Sequence, residues 1–227
     1  MTEPSIEYRD LLSSVGTICR KVGRKEEVFL IAVSKNQPLD KMRTLYDKGC
    51  RLFGESKVQE WLVKKEALPK DIEWHFIGSL QKNKVRKIVG EVSLIHSVDS
   101  LELAEKIAEV SLERGVVSKI LLEVNTSMEG TKHGFSKEEF MSAFLKIREM
   151  RGISVEGLMT IGPNTHDESL VRLAFHHLSL MRKEAEGAGA KLRHLSMGMS
   201  HDYPIAIEEG ATLLRVGTLL FGERSYS

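Results

Sequence analysis

The spacing of apolar residues changes repeatedly along the chain, and the changes predict its secondary structure. Between Leu11 and Val22, apolar positions recur every three or four residues and stop at Gly23, which predicts an amphipathic helix. Segment 28–33 is instead a continuous apolar run with β-branched members. Such a run is typical of a strand that is buried on both faces of a parallel sheet.

Strand-type and helix-type segments then alternate to the end of the chain. The predicted strands are 28–33, 51–53, 73–77, 92–95, 117–124, 153–159, 191–195 and 212–216. The predicted helices between them are 38–48, 56–68, 84–89, 100–114, 140–150, 168–186 and 203–209. Ser136 and Glu139 form a capping-box pattern ahead of one helix. About eight strands and no linker-like stretch favour one α/β domain over 1–227, a (β/α)8 TIM-like barrel with an extra N-terminal helix.

Composition narrows the possible partners of this barrel. The chain of 227 residues is 41% hydrophobic and 29% charged, which suits a packed globular protein. Its formal net charge is +1, so no overall field would draw it to nucleic acid or to an anionic membrane. Cys19 and Cys50 lie in helix-like segments, where we expect reduced, half-buried thiols.

The N-terminal segment gives no sign of export. Residues 1–10 lack a basic start followed by an apolar stretch, so they do not resemble a secretory signal. No apolar run approaches the ~20 residues of a membrane-spanning helix. We therefore expect a cytoplasmic protein that does not enter a membrane.

Two turns late in the chain are candidates for binding an anion. In barrels of this type the functional site lies at the carboxyl ends of the strands, and phosphate is commonly held after the seventh and eighth. Gly198 and Ser200 follow the seventh predicted strand, and Gly217 and Thr218 follow the eighth. Glycine permits close backbone approach, and hydroxyls and free amides bind phosphate. The alternative is two ordinary turns, since Gly, Ser and Thr suit any helix start.

Lys35 follows the first predicted strand directly. Closure of the barrel would bring its amine into the mouth beside the eighth strand. Apolar neighbours and the nearby Arg215 should lower the pKa of this amine well below its usual value of about 10.4, which favours attack on an aldehyde. The alternative is a surface lysine in a loop.

Arg215 interrupts the apolar strand that ends the barrel. An unpaired guanidinium would be costly there, so a partner is required. A nearby carboxylate would meet the requirement, and so would the ring nitrogen or the phosphate of a ligand. The histidines and cysteines show no metal-ligand spacing, and we expect no metal site.

Several motifs, taken together in their order and spacing, resemble the YggS/PROSC family of pyridoxal phosphate homeostasis proteins, which is related to the N-terminal barrel of bacterial alanine racemase. The resemblance runs nearly from end to end. The motifs are Ala32-Val-Ser-Lys35, Phe53-Gly-Glu55, Trp74-His-Phe-Ile-Gly-Ser-Leu-Gln-Lys-Asn-Lys84, Gly157-Leu-Met-Thr160, Leu195-Ser-Met-Gly-Met-Ser200 with Asp202, and Leu214-Arg-Val-Gly-Thr218 with Phe221-Gly222.

The resemblance implies a site for pyridoxal 5′-phosphate, the cofactor form of vitamin B6. Lys35 would carry the cofactor as a Schiff base, Ser200, Gly217 and Thr218 would hold the phosphate, and Arg215 would face the pyridine nitrogen. Five further residues complete the expected cofactor-binding set: Ser56, His75, Met159, Ser196 and Met199. The family usually has Asn-Tyr where this chain has Ser56-Lys57, so any contact from that Asn to the ring is not predicted here.

The function implied is buffering and delivery of the cofactor without amino-acid turnover. An arginine opposite the ring nitrogen makes a weak electron sink, and racemisation needs a second base besides Lys35. In alanine racemase that base comes from a C-terminal domain across a dimer, and no equivalent is evident here, so we expect a monomer. Apo-enzymes that use the cofactor are expected partners. The alternatives are a racemase or lyase using His201 or Tyr203 as base, and a Schiff-base aldolase without cofactor.

Overall fold

Apolar segments of the sequence form a closed barrel of eight parallel strands in the computed structural model, which describes residues 7–127 and 133–222. The strands follow chain order around the barrel. They are β1 Phe29–Val33, β2 Leu52–Glu55, β3 Glu73–Phe76, β4 Leu94–Val98, β5 Ser118–Glu123, β6 Ile153–Met159, β7 His194–Ser196 and β8 Leu213–Val216. The predicted (β/α)8 architecture is therefore confirmed.

Helices cover the outside of the barrel, as the alternating pattern predicted. They are α1 Tyr8–Lys21, α2 Leu39–Asp47, α3 Val58–Ala67, α4 Val85–Ile88, α5 Leu101–Glu113, α6 Lys137–Ile147, α7 Glu168–Gly187, α8 Tyr203–Glu208 and α9 Thr218–Phe221, with a 3-10 turn at Lys82–Lys84. The capping box of Ser136 and Glu139 is present at the start of α6. The predicted N-terminal helix is α1, and Arg24, which follows it, donates hydrogen bonds to the carbonyls of Ile207 and Ala211.

Closure of the barrel depends on the pairing of its first and last strands. β1 and β8 run parallel, with Ile31 opposite Arg215 and Ala32 opposite Val216. This register brings the residues that follow β1 beside those that follow β8. The relation between the two ends of the chain that the sequence predicted is thus confirmed.

The largest differences from the predicted strand bounds are in β4 and β7. β4 begins at Leu94 and continues through His96 and Ser97, whereas the apolar pattern placed it at 92–95. Its position follows from the parallel register with β3, and its polar residues lie inside the protein, so hydrophobicity alone ends the strand too early. β7 likewise begins only at His194 rather than at 191, because its ladder with β6 starts opposite Gly157.

The barrel interior and the layer between strands and helices form separate apolar clusters. The smaller, interior cluster is Ile31, Leu94, Leu121, Met159 and Leu213. Cys50 is buried and Cys19 half-buried, and both carry free thiols. Within the described ranges, no helix combines the length and the apolar character needed to cross a membrane.

Candidate functional site

Lys35 lies at the carboxyl-terminal mouth of the barrel, immediately after β1, and is half-buried. The turn after β8 is its neighbour, because a Cβ added at Gly217 would lie 3.4 Å from the carbonyl oxygen of Val33. The backbone of Gly217 therefore packs closely against the end of β1, two residues before Lys35. The structure thus brings the backbone segment that leads to Lys35 against one of the two predicted anion turns.

The turn after β7 joins the same group of residues. The backbone N–H of Arg215 donates to the carbonyl of Gly198 at 2.9 Å, and the Ser200 hydroxyl accepts from the backbone N–H of Leu219 at 3.4 Å. Gly198 has φ +90°, and an added Cβ would lie 2.5 Å from the Cβ of Ala206, so only glycine fits. The two anion turns are thus one connected structure at the barrel mouth.

Arg215 is buried, and its hydrogen-bond partners among the described residues are neutral oxygens. Its Nη1 donates to the Ser196 hydroxyl at 2.6 Å, and its Nη2 donates to the Thr160 carbonyl at 2.9 Å. Among the described residues, no carboxylate is hydrogen-bonded to it. Burial lowers the pKa of Arg215 to about 10, while the charges of Glu123 and Asp202 act in the opposite direction. A buried guanidinium that has no hydrogen-bonded carboxylate within residues 7–127 and 133–222 fits a ligand that supplies an acceptor.

The two acidic groups near Arg215 were not predicted from the sequence. Glu123 ends β5, and burial raises its pKa to about 7, with a further rise from Asp99. Burial also raises the pKa of Asp202, whose carboxylate accepts a hydrogen bond from the backbone of Met199 at 2.5 Å. Glu123 could have been suspected, because it is a carboxylate at the carboxyl end of an otherwise apolar strand.

A chain of neutral histidines extends from this site through the barrel. The Nδ1 of His96 lies 2.9 Å from the Ser196 hydroxyl, and its Nε2 lies 3.0 Å from the Nδ1 of His75. Burial lowers the pKa of His75 to about 4 and that of His96 well below its usual value. His75 lines a cavity of about 400 Å³ with residues that begin strands, among them Glu73 and His194. His75 therefore reaches Arg215 only through His96 and Ser196. Sequence reasoning missed His96, because no motif or spacing marks it.

The other predicted residues surround the mouth at different depths. Met159 is buried at the end of β6, next to the carbonyl of Thr160 that binds Arg215. Ser56 follows β2 and is half-buried, with its backbone against Gly78. Met199 is exposed and lines a cleft of about 610 Å³ with Ile161, Pro163, His166, His201 and Asp202. Thr218 is exposed at the start of α9.

The two alternative bases differ in their surroundings. The Tyr203 hydroxyl lies 3.2 Å from the hydroxyl of Ser14 in α1, so it is already engaged with the N-terminal helix. His201 is exposed in the wall of the cleft. In the part of the chain that the structure describes, no three His, Cys, Asp or Glu side chains gather so that they could hold a metal ion.

A buried ion-pair cluster lies behind the turn that carries Lys35, and sequence reasoning missed it. The Lys64 ammonium donates to the Ser34 carbonyl at 2.5 Å, to Glu55 at 2.6 Å and to Glu60 at 2.6 Å. The helical spacing of Glu60 and Lys64 suggests an exposed pair, which hides the role of Lys64. The available signal was Glu55, a carboxylate that ends a buried strand.

Comparisons with known proteins agree with this fold. A family model described as "Alanine racemase, N-terminal domain" matches residues 17–225. A pyridoxal phosphate homeostasis protein from Aquifex aeolicus is 44% identical over 219 residues, 95% of this chain and 96% of that protein. A protein of the same name from Mus musculus is 40% identical over 213 residues, 87% of this chain and 77% of that protein.

A solved structure has the same fold as this chain. PipY of Synechococcus elongatus, described as having the cofactor PLP bound, superimposes with a TM-score of 0.79. The two proteins are 35% identical, and the match covers 92% of this chain and 100% of PipY. The relatives thus share with this chain both its fold and much of its sequence.

Proposed function

This chain belongs to the alanine racemase N-terminal domain family, and from that membership and its likeness to pyridoxal phosphate homeostasis proteins we propose that it binds pyridoxal 5′-phosphate and acts in the homeostasis of this cofactor. When bound, the cofactor supplies an aldehyde carbon, a pyridine ring and a phosphate. The residues at the barrel mouth offer a matching group for each of these features. PipY, which carries the same cofactor, supports the proposal.

Each part of the site has a distinct task in this proposal. The hydroxyls of Ser200 and Thr218 and the backbone at Gly217 bind the phosphate, since the turn after β7 and the start of α9 are joined at the barrel mouth. Arg215, held by Ser196 and Thr160, faces the ring nitrogen. Lys35 provides the amine for covalent attachment. Ser56, Met159 and Met199 border the site, and His75 acts from a distance through His96.

The observation that carries the proposal is the pairing of β1 with β8, which brings the end of β1, two residues before Lys35, against Gly217. We expect Lys35→Ala to abolish the visible absorbance of the bound cofactor while the fold stays intact. Lys57→Ala is the matched control, because Lys57 is an exposed lysine after the neighbouring strand β2. Unchanged absorbance in Lys35→Ala would refute attachment at this residue, and a featureless spectrum of wild type with cofactor would favour an aldolase.

We further propose that the protein carries the cofactor and does not turn over amino acids. An arginine opposite the ring nitrogen keeps that nitrogen unprotonated, which weakens the electron sink that amino-acid chemistry needs. Tyr203, one of two alternative bases, is engaged with Ser14. Incubating purified holoprotein with a panel of L-amino acids tests this point. Any turnover above that of free cofactor would favour the racemase or lyase alternative.

The remaining elements of the proposal concern where and with what the protein acts. Apo-enzymes that require pyridoxal phosphate are the proposed recipients, the cytoplasm is the proposed compartment, and a single folded domain acting as a monomer is the proposed state. Mixing holoprotein with a cofactor-free recipient enzyme, followed by size-exclusion chromatography and activity measurement, tests delivery. Faster activation than by the same concentration of free cofactor would support direct transfer.

A further inference from the structure

The feature behind this inference is Lys64, a lysine of α3 that is buried directly behind the turn of Lys35. Only 4% of its surface is exposed, and its ammonium makes three short hydrogen bonds. Two go to the carboxylates of Glu55 and Glu60, and one goes to the backbone carbonyl of Ser34. Lys64 therefore ties together α3, the end of β2 and the residue before Lys35.

Both chain neighbours of Lys35 are fixed by this cluster. The Ser34 hydroxyl donates to Glu55 at 2.7 Å, and its carbonyl accepts from Lys64. On the other side, the backbone N–H of Asn36 donates to Glu60 at 2.6 Å. Asn36 has φ +59°, a left-handed conformation that needs support from its surroundings. The direction in which the chain presents Lys35 is thus set by buried residues of β2 and α3.

The same contacts separate the roles of the two lysines. The Lys64 amine is buried and is already bonded to two carboxylates and one backbone carbonyl. It is therefore not accessible to an aldehyde, and Lys64 does not compete with Lys35 for attachment. Its surroundings suit a structural task for which a fixed position is required.

We propose that Lys64, together with Glu55 and Glu60, is a positioning residue that holds the turn of Lys35 in the geometry needed for covalent attachment of an aldehyde cofactor. This inference rests on the proposed function. It adds that attachment depends on a buried cluster outside the cofactor contacts. Phosphate and ring recognition, which depend on the turns after β7 and β8, should not require it.

The test compares covalent attachment with non-covalent binding. Attachment is measured as the rate of borohydride-stable labelling of Lys35 by pyridoxal 5′-phosphate, followed by peptide mapping. Non-covalent binding is measured with pyridoxamine 5′-phosphate, whose amine replaces the aldehyde. The variants are Lys64→Met and the milder Glu60→Ala, which frees the Asn36 N–H but leaves Lys64 paired with Glu55. Lys65→Met, the next position on the same helix, is the matched control.

We expect both variants to slow labelling of Lys35 by about tenfold or more, within the roughly 100-fold that a misplacement of about 1 Å can cost. Their affinity for pyridoxamine 5′-phosphate should stay within about twofold of wild type, since tenfold would correspond to a lost interaction of about 1.4 kcal/mol. Lys65→Met should match wild type in both measurements. If Lys64→Met does not fold, Glu60→Ala alone decides the question.

Two results would overturn the inference while leaving the proposed function intact. One is labelling of Lys35 at the wild-type rate in the folded variants. The other is a parallel loss of pyridoxamine phosphate affinity, which would indicate a general structural role. Absence of label at Lys35 in wild type would instead refute the proposed attachment, and the inference with it.

Discussion

Two buried cations, Lys64 of α3 and Arg215 of β8, have different kinds of hydrogen-bond partner. They are similarly inaccessible, with 4% and 6% of their surfaces exposed. Lys64 is bonded to two carboxylates, so its charge is neutralised within β2 and α3. In the described part of the chain, Arg215 is bonded to a hydroxyl and a carbonyl, and the charges of Glu123 and Asp202 act on it through space.

This difference indicates that the role of a buried charged residue can be inferred from its hydrogen-bond partners. When carboxylates are hydrogen-bonded to a buried cation, they neutralise its charge. Such a cation does not attract a further anion, and it stabilises the positions of its partners. A cation bonded to neutral oxygens keeps an uncompensated charge that a ligand can use. This criterion supports our proposals that Lys64 positions the chain and that Arg215 recognises the cofactor.

The largest expected effect is on stability. Lys64→Met should lower the free energy of unfolding by about 3–5 kcal/mol, because it leaves Glu55 buried without a cation. Arg215→Met should cost only about 1–3 kcal/mol, because it strands neutral hydrogen-bonding groups. Urea unfolding of the cofactor-free proteins measures both values. Equal losses would remove the distinction between the two sites.

The next effect is a dependence of stability on pH, which arises from Glu123, an acidic residue whose charge acts on Arg215. Burial raises the folded-state pKa of Glu123 from 4.5 to about 7, so the folded state favours the protonated carboxyl. This stabilising contribution is complete below about pH 4.5 and is lost as the pH rises through about 7. Between these limits, cofactor-free wild type should lose about 3 kcal/mol of stability relative to Glu123→Gln.

Urea unfolding of wild type and Glu123→Gln at a series of pH values checks this prediction. Glu156→Gln is a suitable control, because Glu156 lies in the neighbouring strand β6 and its carboxylate accepts a hydrogen bond from the Ser154 hydroxyl at 2.7 Å. A difference between wild type and Glu123→Gln that does not change with pH would show that Glu123 is not perturbed.

The smallest expected effect is on the affinity for pyridoxamine 5′-phosphate. Here the substitution of Arg215 should have a larger effect than the substitution of Lys64. Arg215→Met should weaken binding of pyridoxamine 5′-phosphate by about 10-fold to 100-fold, the value of a hydrogen bond to a charged group. Lys64→Met should leave this affinity nearly unchanged. Isothermal titration calorimetry with the folded variants separates the cases, and a greater loss in Lys64→Met than in Arg215→Met would contradict the assignment.

Much of the fold could be predicted because the apolar pattern reports it directly. The alternation of buried strands with amphipathic helices indicated eight βα units, and barrel closure then placed Lys35 beside Gly217 and Thr218. The buried Arg215 could also be found, since a charged residue inside an apolar strand demands a partner. These predictions use only local pattern and the geometry of a closed sheet.

The polar interior could not be predicted in the same way. His96 and Ser97 lie in β4, but their polarity ended the predicted strand too early. Lys64 lies on a helix that also carries exposed charges, and its burial depends on the position of Glu55 in another element. Three-dimensional pairing of polar groups leaves no periodic signal in the sequence, so such clusters become visible only in the structure.

The central claim is that Lys35 is the attachment point to which both the mouth and the buried cluster contribute. Borohydride reduction of wild-type protein with pyridoxal 5′-phosphate, followed by peptide mapping, tests it most directly. We predict a single stoichiometric label on Lys35. A label on another lysine, or none, would contradict the claim.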